Sequence, residues 1–284
     1  MRKTVKLFLL IATSFVLLSP VIGNAVFTVT DGTIYTFDLV KSQQTLQQGT
    51  DSGQGTGLMF GGNPFSVGLQ FTVEILTHTA TSVQWEIDVA GNTAVNTDSD
   101  TLSSAMSNYL FYPYLIYGGF GTWDQAEVEM GPFLMLGAFF FEPVAFKAFF
   151  QGMHDNYGVY TPMSYWTFND IQANFDSSTN IAVFDWVFNA EYNDTGCDMY
   201  FEGDFYFNIA YDQTTGVLMG YNFDINYAGY IALDALSIDL EQTIEQVGYN
   251  LPKNQFKVSG FTFIVAIPVI FGLSLLVIKN RKKK

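Results

Sequence analysis

Between Phe184 and Tyr227 the chain alternates apolar and polar residues with a period of two, broken once by Asp212-Gln213-Thr214-Thr215-Gly216. Phe184, Trp186, Phe188, Ala190 and Tyr192 fall on one side; Met199, Phe201, Phe205, Phe207, Ile209 and Tyr211 continue it. Val217, Met219, Tyr221, Phe223, Ile225 and Tyr227 bring it back. Successive side chains of a strand point to opposite faces, so this pattern demands antiparallel strands with one buried face. Gly216 supplies the positive φ that closes such a hairpin with a glycine bulge. Helical packing of the same residues would scatter the aromatics around the axis.

The same period runs through residues 68–90, where Leu69, Phe71, Val73 and Ile75 and then Val83, Trp85, Ile87 and Val89 form the apolar set. Asp31-Gly32 predicts a turn between two strands in residues 27–40, and Leu236, Ile238 and Leu240 predict a last strand. Residues 41–63, rich in Gln, Gly, Thr and Ser, show no period and read as a loop, either a lid or a disordered segment. Asp100-Thr101 caps a predicted helix over 102–110. The dense apolar run at 131–150 contains Glu142, Pro143 and Lys147, charges and a breaker that a membrane span resists. It reads instead as a buried helical pair lying across the sheet. The expected fold class is mainly β (α+β): a curved antiparallel sheet or half-barrel covering one or two helices, plus one C-terminal transmembrane helix.

Residues 1–25 have the basic, apolar and small-residue layout of a signal peptide, with cleavage expected after Ala25. Residues 258–278, opening at Val258 and closing at Ile278, carry no charge; as a helix they extend about 32 Å, enough for the hydrocarbon layer of about 30 Å. Pro268 kinks that helix. Lys279, Arg281, Lys282, Lys283 and Lys284 follow it and place the tail, 279–284, in the cytoplasm. The expected localisation is the cell membrane, single-pass, N-terminus outside. Residues 26–257 then form one extracellular β-rich domain, with the lipid bilayer as a partner of the C-terminal helix.

All 27 Asp and Glu lie in that domain against four lysines (4 − 27 = −23), and no arginine is present there. Phosphate recognition depends on Lys and Arg, so nucleic acid is excluded as a partner. Cys197, the one cysteine, has no internal disulfide partner. Stability must come from burying a chain with 28 Phe and 16 Tyr.

Catalytic motifs are absent, and the chain is expected not to be an enzyme. His154-Asp155 are adjacent, but neighbours in sequence rarely share a productive geometry. Asn96, Asp98 and Asp100 place oxygen ligands at alternate positions, the spacing of a Ca²⁺ loop, although Thr101 stands where an EF-hand needs Gly. Ca²⁺ is the one cofactor the spacing admits. Asp194, Asp198, Glu202 and Asp204 form a second, more diluted acidic cluster. Asn193-Asp194-Thr195 is a glycosylation sequon at Asn193. Leu251-Pro252-Lys253-Asn254-Gln255 is similar to a wall-sorting signal, but Asn254 and Gln255 replace the reactive Thr-Gly.

The signal peptide, the Gly-Thr-x-Tyr-Thr-Phe stretch from Gly32 to Phe37, the Tyr-Asp-x-x-Thr-Gly-x-Leu hairpin from Tyr211 to Leu218, and the span with its basic tail together resemble membrane-anchored surface proteins of Asgard-type archaea. That group has no assigned activity to carry over. The hairpin is also similar to one in the lipoprotein-carrier half-barrel fold. That resemblance implies a curved sheet wrapping helices and able to hold acyl chains in an apolar hollow. Three functions follow as expectations: a surface binding module for an apolar or lipid ligand or a protein partner, a Ca²⁺-using adhesion or envelope protein, and a membrane-retained hydrolase. The first is preferred.

Overall fold

A computed structural model describes residues 27–99, 128–155, 166–196, 198–231 and 234–253. The chain divides into two compact units, 1–254 and 255–284, and every described residue belongs to the first. The span at 258–278 and its tail, the signal peptide, Asp100, the 102–110 helix and Cys197 lie outside the described residues. Among the described residues no helix is long and apolar enough to cross a membrane.

The alternating stretch forms the strands its period demands. In chain order they are β1 (Ile34–Gln48), β2 (Asp51–Thr56), β3 (Leu58–Phe60), β4 (Asn63–Phe65), β5 (Gln70–His78), β6 (Ser82–Val89) and β7 (Asn92–Ser99). One helix, α1 (Pro143–Asp155), precedes β8 (Trp166–Asp176), β9 (Ile181–Asp194), β10 (Met199–Asp212), β11 (Leu218–Ile231) and β12 (Asp234–Gln246). Ten strands make one antiparallel sheet in the order β7-β6-β5-β1-β12-β11-β10-β9-β8, with β2 also on β1. The sheet is open: β7 and β8 are its two ends. The first and last long strands, β1 and β12, are neighbours at its centre.

Hairpin β10–β11 closes as its sequence predicts. Gly216 has φ +74°, its amide reaches the Asp212 carbonyl at 2.8 Å, and the register shifts between Ala210 and Tyr211. Asp212 Oδ1 accepts the amides of Thr214 and Thr215, both at 2.8 Å, which pre-forms the turn.

Three expectations are corrected. Residues 41–63 are not a loop: β1 runs on to Gln48 and β2 pairs back on it, because Ser42, Gln44 and Leu46 take up the inward alternation beyond a bulge at Leu39/Lys41. Before Asp31-Gly32 there is no strand, only a turn leading into β1. The run at 131–150 is not a helical pair. Residues 131–142 form an irregular strap with one bridge, Phe140 to Val217, and from Pro143 the chain turns helical.

Why the strap does not wind into a helix is visible in its bonds. Its backbone carbonyls and amides pair with partners elsewhere in the chain, not with one another one turn away. Met59 donates to the Pro132 carbonyl (2.9 Å), Phe141 to Gly216 (2.8 Å), and Leu218 to Phe139 (2.9 Å). Helix α1 then starts with Pro at its first position, where the missing donor costs nothing. The buried Glu142 carboxylate accepts the Val144 amide at 3.1 Å and also that of Ala145, and so acts as the cap.

Strap and helix fill the inner face of the sheet. Phe139 meets Phe37, Phe71 and Trp85, with centroids 5.0 to 6.1 Å apart. Phe150 stacks on Phe184 at 4.1 Å and 21°, and Phe146 meets Tyr211 edge-on at 5.2 Å. Each such buried aromatic contributes about 1.5 to 3 kcal/mol by burial alone.

Candidate functional site

The inner face of β9, β10 and β11 is a continuous aromatic surface. Phe188 stacks on Phe205 at 4.6 Å and 10°, Trp186 lies 4.4 Å from Phe188, and Tyr227 lies 4.9 Å from Phe205. Tyr192 stacks on Phe201 at 5.7 Å. Strand register puts these rings side by side: Phe188 is opposite Phe205, which is opposite Ile225, and Tyr192 is opposite Phe201. The ladder is thus written by the alternation alone.

Polar atoms on this face are few, and several are unpaired. Trp186 Nε1 is a buried donor without a hydrogen-bond partner among the described residues, and Tyr211 Oη is buried and likewise unpaired. An unpaired buried donor costs about 1 to 3 kcal/mol, so each one needs a reason. Burial raises the Tyr211 phenol, and the charge of Glu142 adds to it, so the hydroxyl keeps its proton and remains a donor.

A polar hub anchors the strap. Gln242 is fully buried on the inward side of β12 among Leu236, Ile238, Leu240 and Ile244. Its Oε1 accepts the Met135 amide (2.8 Å) and the Tyr221 hydroxyl (2.6 Å); its Nε2 donates to Ser42 Oγ (3.2 Å) and the Phe133 carbonyl (2.9 Å). Gln44 Nε2 donates to the Val128 carbonyl at 2.9 Å. The sequence reading missed this hub, and its signal was there: Gln242 is the one polar residue at the inward parity of β12 from Leu236 to Ile244.

Asp98 anchors the strap at the other end of the sheet. It lies in β7, not in a loop, and Asn96, two residues earlier, is exposed. Asp98 Oδ2 accepts the amides of Phe139 (2.8 Å) and Phe140 (2.9 Å). Burial pushes its carboxyl up to about 7; the two amides and, less, the Trp85 indole oppose that rise. The structure therefore places Asn96 and Asp98 apart in role, while Asp100 is outside the described residues. Among the described residues no group of three or more His, Cys, Asp or Glu is placed to hold a metal ion.

The other sequence candidates are also dispersed. Asn193 is exposed at the end of β9, beside Asp194, whose Oδ1 accepts the Gly196 amide. Glu202 accepts from Tyr200 Oη at 3.0 Å, and Asp204 accepts from Asn189 at 3.2 Å. His154 Nδ1 meets the Ala173 carbonyl and Asp155 meets Gln151, so the adjacent pair shares no hydrogen bond with each other. His78 Nδ1 lies 2.6 Å from Asp31 Oδ1. A cluster that sequence reading missed sits on the opposite face of β9 and β10: Tyr206 Oη (3.0 Å) and Asn208 Nδ2 (2.5 Å) both donate to buried Asp185. Burial raises the Asp185 carboxyl; the bonds from Asn208 and Tyr206 oppose that.

Comparison with known proteins adds no identity. No family model and no curated protein matches this chain. The site's own chemistry therefore carries the reading: an aromatic sheet face, a strap held over it by side-chain hydrogen bonds, and unpaired donors within.

Proposed function

We propose that the chain is a single-pass protein of the cell surface whose acidic ectodomain binds an apolar or lipid ligand against the inner face of its curved sheet. One observation supports this most. Trp186 Nε1 and Tyr211 Oη are buried donors without partners among the described residues, on a face otherwise made of aromatic and aliphatic side chains. A ligand with an acyl chain and an ester or carboxyl group matches that combination, because ligand sites are mostly apolar with a few placed polar groups. The resemblance to lipoprotein-carrier half-barrels agrees with the open ten-stranded sheet crossed by a strap and one helix. In this reading the signal peptide directs export, residues 258–278 anchor the protein, and the basic tail stays in the cytoplasm. Binding, not catalysis, is the activity proposed.

The test is to express residues 26–257 as a secreted domain and weigh it by mass spectrometry under native and denaturing conditions. A co-purifying lipid, lost on denaturation, is the expected result. Identical masses from several expression hosts would overturn the ligand reading.

A further inference from the structure

The two ends of the sheet are built differently. At β8 the ladder slips between Asn169 and Gln172, Asp170 has φ +49°, and Asp170 and Asp176 add charge. Bulges and charges of this kind keep an edge strand from recruiting another. Strand β7 has none of this outside Asp98, which points inward. It pairs with β6 in unbroken register from Asn92 to Ser99, and no described strand lies on its other side. Thr93, Ala94, Val95, Asn96 and Thr97 are all exposed, Val95 at 54%. From Asn92 to Thr97 there is no charge and no proline, although the ectodomain carries 27 acids.

The surroundings of this edge are acidic. On the outward face Glu86 pairs with Val95 and with Glu74, and Asp88 pairs with Thr93. No Lys or Arg occurs in β5, β6 or β7. A strand added to β7 would lie two spacings from β6, about 10 Å, close to the screening length of about 8 Å at physiological salt. Cationic side chains on its outward face would therefore feel Glu86 and Asp88. A second copy of the chain would offer only its own acidic row, three spacings away.

We propose that β7 is a docking edge for an extended cationic segment of another protein, which adds as a strand and sets Lys or Arg within reach of Glu86 and Asp88, the outward acids of β6. Main-chain hydrogen bonds supply attachment and the acidic row supplies selectivity. This surface is separate from the aromatic inner face, so it stands or falls independently of the ligand reading.

The experiment uses the full chain in nanodiscs of zwitterionic lipid and a fluorescent peptide, Thr-Lys-Val-Lys-Val-Lys-Thr. Two comparison peptides are needed, one with Glu in place of each Lys and one with alternate amides N-methylated. Saturable anisotropy with the Lys peptide alone is expected, together with slowed hydrogen exchange at the outward amides of Thr93 and Val95, the Thr97 amide being held by Asn96 Oδ1 at 2.8 Å. Binding should weaken several-fold between about 50 and about 200 mM salt. The variant Glu86→Lys should bind about twofold more weakly, the scale of a screened charge one strand removed. The proposal is overturned if the Glu or the N-methylated peptide binds equally well, or if exchange at the amides of Thr93 and Val95 is unchanged by bound peptide. It is also overturned if those amides are already protected without peptide and lose protection on dilution, the sign of pairing between copies.

Discussion

Asp98 occupies a place where a carboxylate is expensive, and its two strap amides compensate only in part. With a folded-state value near 7 against 3.8 for the free side chain, the folded protein holds this proton more tightly than the unfolded chain does. Asp98 therefore adds stability that is complete below about pH 4 and is lost as pH rises through about 7. Asp98→Asn keeps an acceptor for Phe139 and Phe140 and removes the ionisation. It should flatten the loss of stability between about pH 5 and 8 and make the protein more stable than the parent at pH 8, on the order of 2 kcal/mol. Urea denaturation at several pH values measures this, and parallel pH profiles for both proteins would show that Asp98 is not the titrating group. Sequence spacing alone offers this residue as a candidate calcium ligand. The alternation of Asn96, Asp98 and Asp100 is as much a strand's period as a loop's, and only the partner at Phe139 decides its role.

At the level of elements, the strands were legible wherever large apolar residues marked the inward positions. β5, β6, β9, β10 and β11 follow from their aromatic and β-branched alternation, and the Asp212–Gly216 turn from its residue types. β2 and the far half of β1 were not legible, because Ser42, Gln44, Gly53 and Gly55 carry the inward parity there and look like loop residues. The strap was hidden for a related reason. Its apolar side chains suit a helix, while its amides are claimed by Gln242, Asp98 and Gly216 from distant parts of the chain. Gln242→Leu should leave the Met135 amide and the Phe133 carbonyl unpaired and cost about 2 to 4 kcal/mol, with faster hydrogen exchange concentrated in residues 133–136. Uniform destabilisation with no local increase there would mean that the hub does not hold the strap. Gly216→Ala forces φ +74° on a residue with a Cβ that would meet the Phe141 carbonyl. A loss of about 2 kcal/mol or more in a thermal melt is expected, and a neutral result would show that the hairpin relaxes freely.

For the molecule as a whole, the class of fold could be read from the chain, but the order of strands in the open sheet could not. Period-two patterns say which face is buried and are silent on strand order. The neighbouring of β1 and β12, two hundred residues apart in places such as Ser42 and Gln242, had no local signal. The site was legible only as composition: aromatic rings were expected inside, but not the unpaired indole and phenol donors among them. The most direct test of an occupied inner face is contact quenching. A fatty acid brominated along its chain is titrated into residues 26–257 and tryptophan emission is followed, for the parent and for Trp186→Phe. Saturable quenching in the parent, largely lost in Trp186→Phe, is the predicted result. Emission that does not saturate, or that is quenched equally in both proteins, would contradict a ligand bound on the aromatic face of β9 to β11.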